Sequence, residues 1–205
     1  MLRSHHSLEG PGDMRTRSDR RNRPRRDVDQ RGAALVETAI ILPLILLLTF
    51  GMIEFGFAFN EQGTVRAATR NAARAASTQP KASNTIFEAA AIDSLDASAA
   101  NLNNGTPDFA LVYDAQGGSA TPSSPSECTS RCAYYDWNGS SFVHVAGHWN
   151  PEQRGACAGE SDRVGVFMQV RHEFLTGFFS DAGVDLSSRT VMALEPYVGG
   201  PCAGS

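Results

Sequence analysis

The chain has 205 residues, 41% hydrophobic and 8% aromatic, with a formal charge of −4, which leaves room for one domain of ordinary size beside a membrane segment and excludes a second large one. The charge is divided: residues 1–32 hold nine arginines against five acidic residues, about +4, and leave about −8 for the rest.

The first element in chain order is a leader. Met1 to Gln30 is rich in Arg, Gly, Pro, Ser and Asp and has no apolar periodicity, so it cannot bury enough surface to fold and is expected to be disordered. The run Arg20-Arg21-Asn22-Arg23-Pro24-Arg25-Arg26 has the composition of a nucleic-acid arm. Its place directly before an apolar span explains it better, because positive charge holds that flank in the cytoplasm. No nucleic-acid partner is expected, and everything after Phe59 is expected outside the cytoplasmic membrane.

The span itself runs from Ala33 to Phe59, about 27 residues or roughly 40 Å as a helix, enough to cross a hydrocarbon layer of about 30 Å. Glu37 and Glu54 lie within it. A carboxylate at the bilayer centre costs about 2.5 to 3.5 kcal/mol on insertion scales. Seventeen residues of helix separate the two by roughly 25 Å, so a centred span places each near one interface. Pro43 removes a backbone donor and is expected to bend the span, which is best tolerated where a neighbouring helix packs. A conventional secretory signal fits poorly, because its apolar core is shorter and the small-residue triplet Ala73-Arg74-Ala75 lies too far beyond the span.

Depth in the membrane does not account for a second pattern: Arg31-Gly32, then an apolar run from Ala33 whose fifth residue is Glu37. This resembles class III signal sequences, in which a prepilin peptidase cuts after the glycine at the cytoplasmic face. The neighbours Val36-Glu37-Thr38-Ala39, Pro43, Ile53-Glu54-Phe55-Gly56 and the Ala/Arg-rich stretch from Thr64 to Arg74 narrow the resemblance to the TadE-like family of tight-adherence (Flp-type) pilus systems. Thr38 departs from the aromatic that is more usual there. The likeness covers Arg31 to Ala76, with a weaker echo at Glu195-Pro196. It implies a minor pseudopilin with Gly32, Ala33 and Glu37 as its processing site and Glu37, Pro43 and Glu54 as its membrane-helix assembly residues. It also implies prepilin peptidase and other tight-adherence pilus assembly proteins or pilins as partners. A carboxylate four residues beyond the new Ala33 amine could neutralise such an amine on a neighbouring subunit. The alternative is a single-pass membrane-anchored extracytoplasmic binding protein stabilised by disulfides, which leaves Gly32 and Glu37 as coincidences.

Past Phe59 the helix is expected to continue to Ala76, with Arg66, Arg70 and Arg74 on one face and Val65, Ala68, Ala72 and Ala76 on another. After Pro80 a second helix is expected over Asn84–Leu102, with Phe87, Ala91 and Leu95 spaced by four. The period then changes to two. Strands are expected at Phe109–Tyr113, Ala133–Trp137, Phe142–Val145, Arg163–His172 and Ser188–Leu194, with Asn138-Gly139 as a hairpin turn and Phe174–Phe179 as a short helix or capping loop. The fold class is therefore α+β: a long N-terminal transmembrane α-helix continues into an amphipathic stem and precedes a small extracytoplasmic domain with an antiparallel sheet. The expected divisions are 1–32 leader, cleaved; 33–59 transmembrane helix; 60–104 helical stem and second helix; and 105–205 β-rich part.

Cys128, Cys132, Cys157 and Cys202 fall outside the membrane, where two disulfides are the natural reading. Three connectivities are possible; Cys128–Cys132 with Cys157–Cys202 is favoured because the second would tie the C-terminal tail to a long loop. Zinc bound by these cysteines with His144 and His148 is the competing reading, but the spacing of Cys128 and Cys132 does not suit it, and no metal or other cofactor is expected. His172-Glu173 lacks a second histidine at zinc-protease spacing, and no nucleophile elbow or phosphate loop occurs, so no catalytic residue and no enzyme activity are expected. Asn104-Gly105-Thr106 and Asn138-Gly139-Ser140 match glycosylation acceptors but read better as turns.

Overall fold

The protein is described from a computed structural model over residues 26–116, 121–176 and 183–197. Its N-terminal helix, α1 (Arg26–Ser77), continues through Pro43, whose missing N–H leaves the Ala39 carbonyl without its helical partner. The chain divides into two units, 1–46 and 47–205. Among the described residues of the first, α1 is the sole element, and Leu35, Val36, Ile40, Ile41, Leu42, Leu44, Ile45 and Leu46 are all exposed. An apolar surface of this kind is what a lipid-facing helix presents.

In the second unit α1 has two faces. Gly51, Glu54, Ala58, Glu61, Val65, Ala68, Ala72 and Ala76 are buried at intervals of three and four, one stripe of a helix, while Arg66, Arg70 and Arg74 stay in water. The expected alanine and arginine faces are therefore both present. The border expected at residue 59 does not coincide with the packing, because the buried stripe reaches back to Gly51. α2 (Asn84–Ala99) buries Phe87, Ala91 and Leu95 completely, and its first turn closes on the Ser83 carbonyl, which accepts the Ile86 and Phe87 N–H groups.

The strands are β1 (Gly105–Asp114), β2 (Cys132–Trp137), β3 (Phe142–Ala146), β4 (Ala156–Cys157), β5 (Glu160–Ser161), β6 (Arg163–His172) and β7 (Val184–Ala193). Five form an antiparallel sheet in the order β3-β2-β1-β6-β7, and β4-β5 is a separate pair. β1 is central and buried on both faces. Ala110 and Val112 join Val164, Val166, Met168 and Val170 in the core under the helices, whereas Phe109, Leu111 and Tyr113 pack with Cys132 and Phe167 on the other side. Tyr113 lies opposite Gly165, where an added Cβ would come within 2.3 Å of the tyrosine ring, so the ring takes the place of a side chain. α1 is fastened to edge strand β7 by Gln62 donating to the Ser187 carbonyl at 2.9 Å and by the Thr69 hydroxyl, 3.1 and 3.0 Å from those of Ser188 and Thr190.

Some elements differ from the sequence expectation. The β2–β3 connection is a four-residue loop in which only Gly139 has positive φ; the Asn138 side chain organises it by accepting from the Ser140 and Ser141 N–H groups. β4 and β5 are too short to show periodicity. β7 starts earlier than Ser188, because its half-exposed polar residues hide the alternation. From Glu173 to Thr176 the chain is irregular, and the rest of the expected Phe174–Phe179 element lies outside the described residues.

Candidate functional site

The sequence signature sits on α1. Gly32 lies inside the helix, where glycine costs about 1 kcal/mol relative to alanine, and no atom outside the local helix lies within 4 Å of where its Cβ would be. Packing among the described residues therefore gives no reason for a glycine there, and the same holds for Gly56. Ala33 and Glu37 follow on the exposed surface, one helical turn apart, with Glu37 set among the exposed Val36, Ile40 and Ile41. Thr38 turns its hydroxyl back to the Ala34 carbonyl at 2.8 Å, a bond internal to the helix. Pro43 lies about 1.7 turns beyond Glu37.

Glu54 belongs to a different environment. It is fully buried, and its carboxylate accepts N–H bonds from Leu175 at 3.0 Å and Thr176 at 2.6 Å. One turn pair further on, Glu61 accepts the Asn104 N–H at 2.6 Å and pairs with the buried His172, whose Nδ1 lies 2.5 Å away. The sequence resemblance places Glu54 among the membrane-helix residues; the structure gives its carboxylate an anchoring job within the second unit. Sequence reasoning weighs His172 only against a zinc-protease motif and misses its pairing with Glu61, although Glu61 stands seven residues after Glu54 on the same face, a spacing that could reveal it.

Residues 32–74 match the protein family described as TadE-like protein, beginning at Gly32 and ending in the arginine-bearing stem. Over this stretch the chain is similar to TadE-like proteins. The match implies involvement in tight-adherence pilus systems, and among the described residues the one helix long and apolar enough to span a membrane lies in the same region. No curated protein and no solved structure matches the chain.

The rest of the chain carries the other sequence candidates. A disulfide joins Cys128 to Cys132, with Cα atoms 5.3 Å apart, closing the loop that leads into β2. Cys157 is also disulfide-bonded, and Cys202 lies outside the described residues. Thiolate zinc ligation is therefore ruled out at Cys128, Cys132 and Cys157, since a disulfide sulfur is not a thiolate. His144 and His148 nevertheless come together. Their rings stack 4.3 Å apart and parallel within 2°, and His148 Nδ1 lies 2.9 Å from the buried Glu88 carboxylate of α2. The absence of any metal, expected from chain spacing, left out Glu88, which is 60 residues from His148 in sequence.

Beneath this cluster Arg154 is fully buried. It donates from Nε to the Trp149 carbonyl, from one terminal nitrogen to the Pro80 and Ala82 carbonyls, and from the other to Asn84 Oδ1, while lying over the Phe87 ring. Desolvation draws its pKa down to about 10, which still leaves it a cation at neutral pH. A polar cleft of about 750 Å³ opens beside β4 and β5, lined by Arg131, Asp162 and Arg163 among others. Two of these charges are already engaged: Arg131 with Asp114, and Asp162 with the Gly155 N–H.

Proposed function

We propose that the protein is a minor pseudopilin-like component of tight-adherence pilus assembly. Its residues 1–32 are removed by a prepilin peptidase, and the chain after Phe59 lies outside the cytoplasmic membrane. The observation that carries this reading is the TadE-like match over 32–74, which starts at the glycine of the Gly32-Ala33…Glu37 signature. The exposed position of Glu37 among apolar side chains supports it, because a carboxylate in lipid calls for a cation. Cleavage supplies one in the form of the Ala33 amine, which a neighbouring subunit's Glu37 can pair. The role is one of assembly rather than catalysis.

Glu37→Gln should insert and be processed normally but lose co-purification with the other pilus assembly proteins. Glu54→Gln keeps an acceptor for the Leu175 and Thr176 N–H groups and should retain it. Wild-type recovery of the Glu37→Gln protein would remove the pairing mechanism and favour a plain membrane anchor.

A further inference from the structure

We propose that Glu88, His144 and His148 form a binding site for one divalent transition-metal cation of the zinc class. One donor atom from each residue lies within 4.8 Å of the other two. Zinc at its usual bond lengths of about 2.0 to 2.2 Å would hold tetrahedral donors roughly 3.3 Å apart, so closure needs a contraction of an ångström or so. Both histidines are exposed and can make that adjustment by side-chain rotation at the surface. Two imidazole nitrogens select a transition metal over magnesium or calcium, which prefer oxygen.

Three parts of the fold converge to build the site. α2 supplies Glu88. Edge strand β3 supplies His144, which stands opposite Tyr135 of β2 in the ladder with its ring 5.3 Å from the tyrosine's. Gly147 then turns the chain at φ 72°, where an added Cβ would come within 2.2 Å of the Cys132 carbonyl; this turn returns His148 over His144.

The surrounding hydrogen bonds prepare the donors. His144 Nε2 lies 2.7 Å from the Gly147 carbonyl and must donate to it, which leaves Nδ1 with the free lone pair of a neutral imidazole. Glu88 is almost fully buried yet has no directly bonded Lys or Arg among its described partners. Its oxygens receive the Tyr135 hydroxyl at 2.8 Å, the Trp149 N–H at 3.4 Å and His148 Nδ1 at 2.9 Å, with Arg154 acting only through space. A buried carboxylate oriented by a phenol and a backbone amide, with two histidines on its solvent side, is a set of convergent ligands with open positions toward water. A bound cation would fasten β3 to α2. This inference is independent of the pilus reading.

The test uses the full chain in detergent with His5→Gln and His6→Gln, because the leader histidines could bind metal themselves. Zn²⁺ is titrated against a chromophoric chelator, and Mg²⁺ serves as the comparison. Saturable uptake of one Zn²⁺ per chain is expected, with none of Mg²⁺. His144→Gln and His148→Gln should each weaken uptake at least about tenfold, and Tyr135→Phe, which removes a group orienting Glu88, about 10- to 100-fold. Zn²⁺ should raise the melting temperature of the parent and not of His148→Gln. No saturable uptake, or uptake that both histidine substitutions leave unchanged, overturns the proposal.

Discussion

Replacing Arg154 with methionine should destabilise the second unit by about 3 to 5 kcal/mol. The guanidinium makes four hydrogen bonds, of 2.8, 3.1, 2.9 and 2.6 Å, and its carbon lies 3.9 Å from the Phe87 ring centre. Charge-assisted bonds are worth about 1.5 to 3 kcal/mol each, but burying the cation costs several kcal/mol in return, so their simple sum overstates the loss. What decides the sign is what methionine leaves behind. The Pro80 and Trp149 carbonyls are both buried and would lose this donor, at about 1 to 3 kcal/mol each, and the cation–ring contact adds about 1 to 2 kcal/mol. Arg154→Lys keeps the charge but cannot reach all four acceptors with one ammonium group, so it should fall between wild type and methionine. For a domain of this size the methionine variant should melt roughly 10 °C lower. Trp149, buried beside the site, makes intrinsic fluorescence a suitable probe for thermal and urea unfolding. A methionine variant within about 1 kcal/mol of wild type would refute the assignment of Arg154 as the tie between the α1–α2 connection and the 149–154 loop.

Two other substitutions test the packing around the helices. His172→Ala should cost about 3 to 5 kcal/mol in urea titration, because it strands the buried Glu61 carboxylate; a loss below about 1 kcal/mol would show that Glu61 does not depend on that pair. Burial, reinforced by the nearby Asp93 charge, holds the Asp96 carboxyl above its ordinary value even though it accepts the Phe142 N–H. A folded-state pKa raised above the unfolded one means that Asp96 contributes most to stability at low pH, and that this contribution is lost as pH rises from the unfolded through the folded pKa. Asp96→Asn keeps an acceptor without the charge, so its melting temperature relative to wild type should be higher at pH 7 than at pH 3; an unchanged difference would count against the burial argument.

The helices were readable because their burial follows local spacing: Phe87, Ala91 and Leu95 repeat every four residues, and the stem's alanines and arginines separate onto two faces. β6 was legible for the same reason, with its apolar residues at period two. Where tertiary partners decide the role, the sequence was silent. Glu54 looked like a membrane residue because its neighbours are apolar, yet its carboxylate is held by backbone from beyond residue 170. Glu88 gives no sign of His144 and His148 until the β2–β3 hairpin and the Gly147 turn bring them together. The Gly32-Ala33…Glu37 signature is the reverse case: it is legible from sequence alone, and packing among the described residues gives no reason for its glycine.

The proposed removal of residues 1–32 at Gly32 is open to a direct check, the N-terminal sequence of the protein isolated from membranes. In cells with an active prepilin peptidase the mature chain should begin Ala33-Ala34-Leu35-Val36-Glu37, and Gly32→Glu should leave the full-length chain inserted and uncut. Recovery of the wild-type protein with its residues 1–32 intact under those conditions would contradict the account.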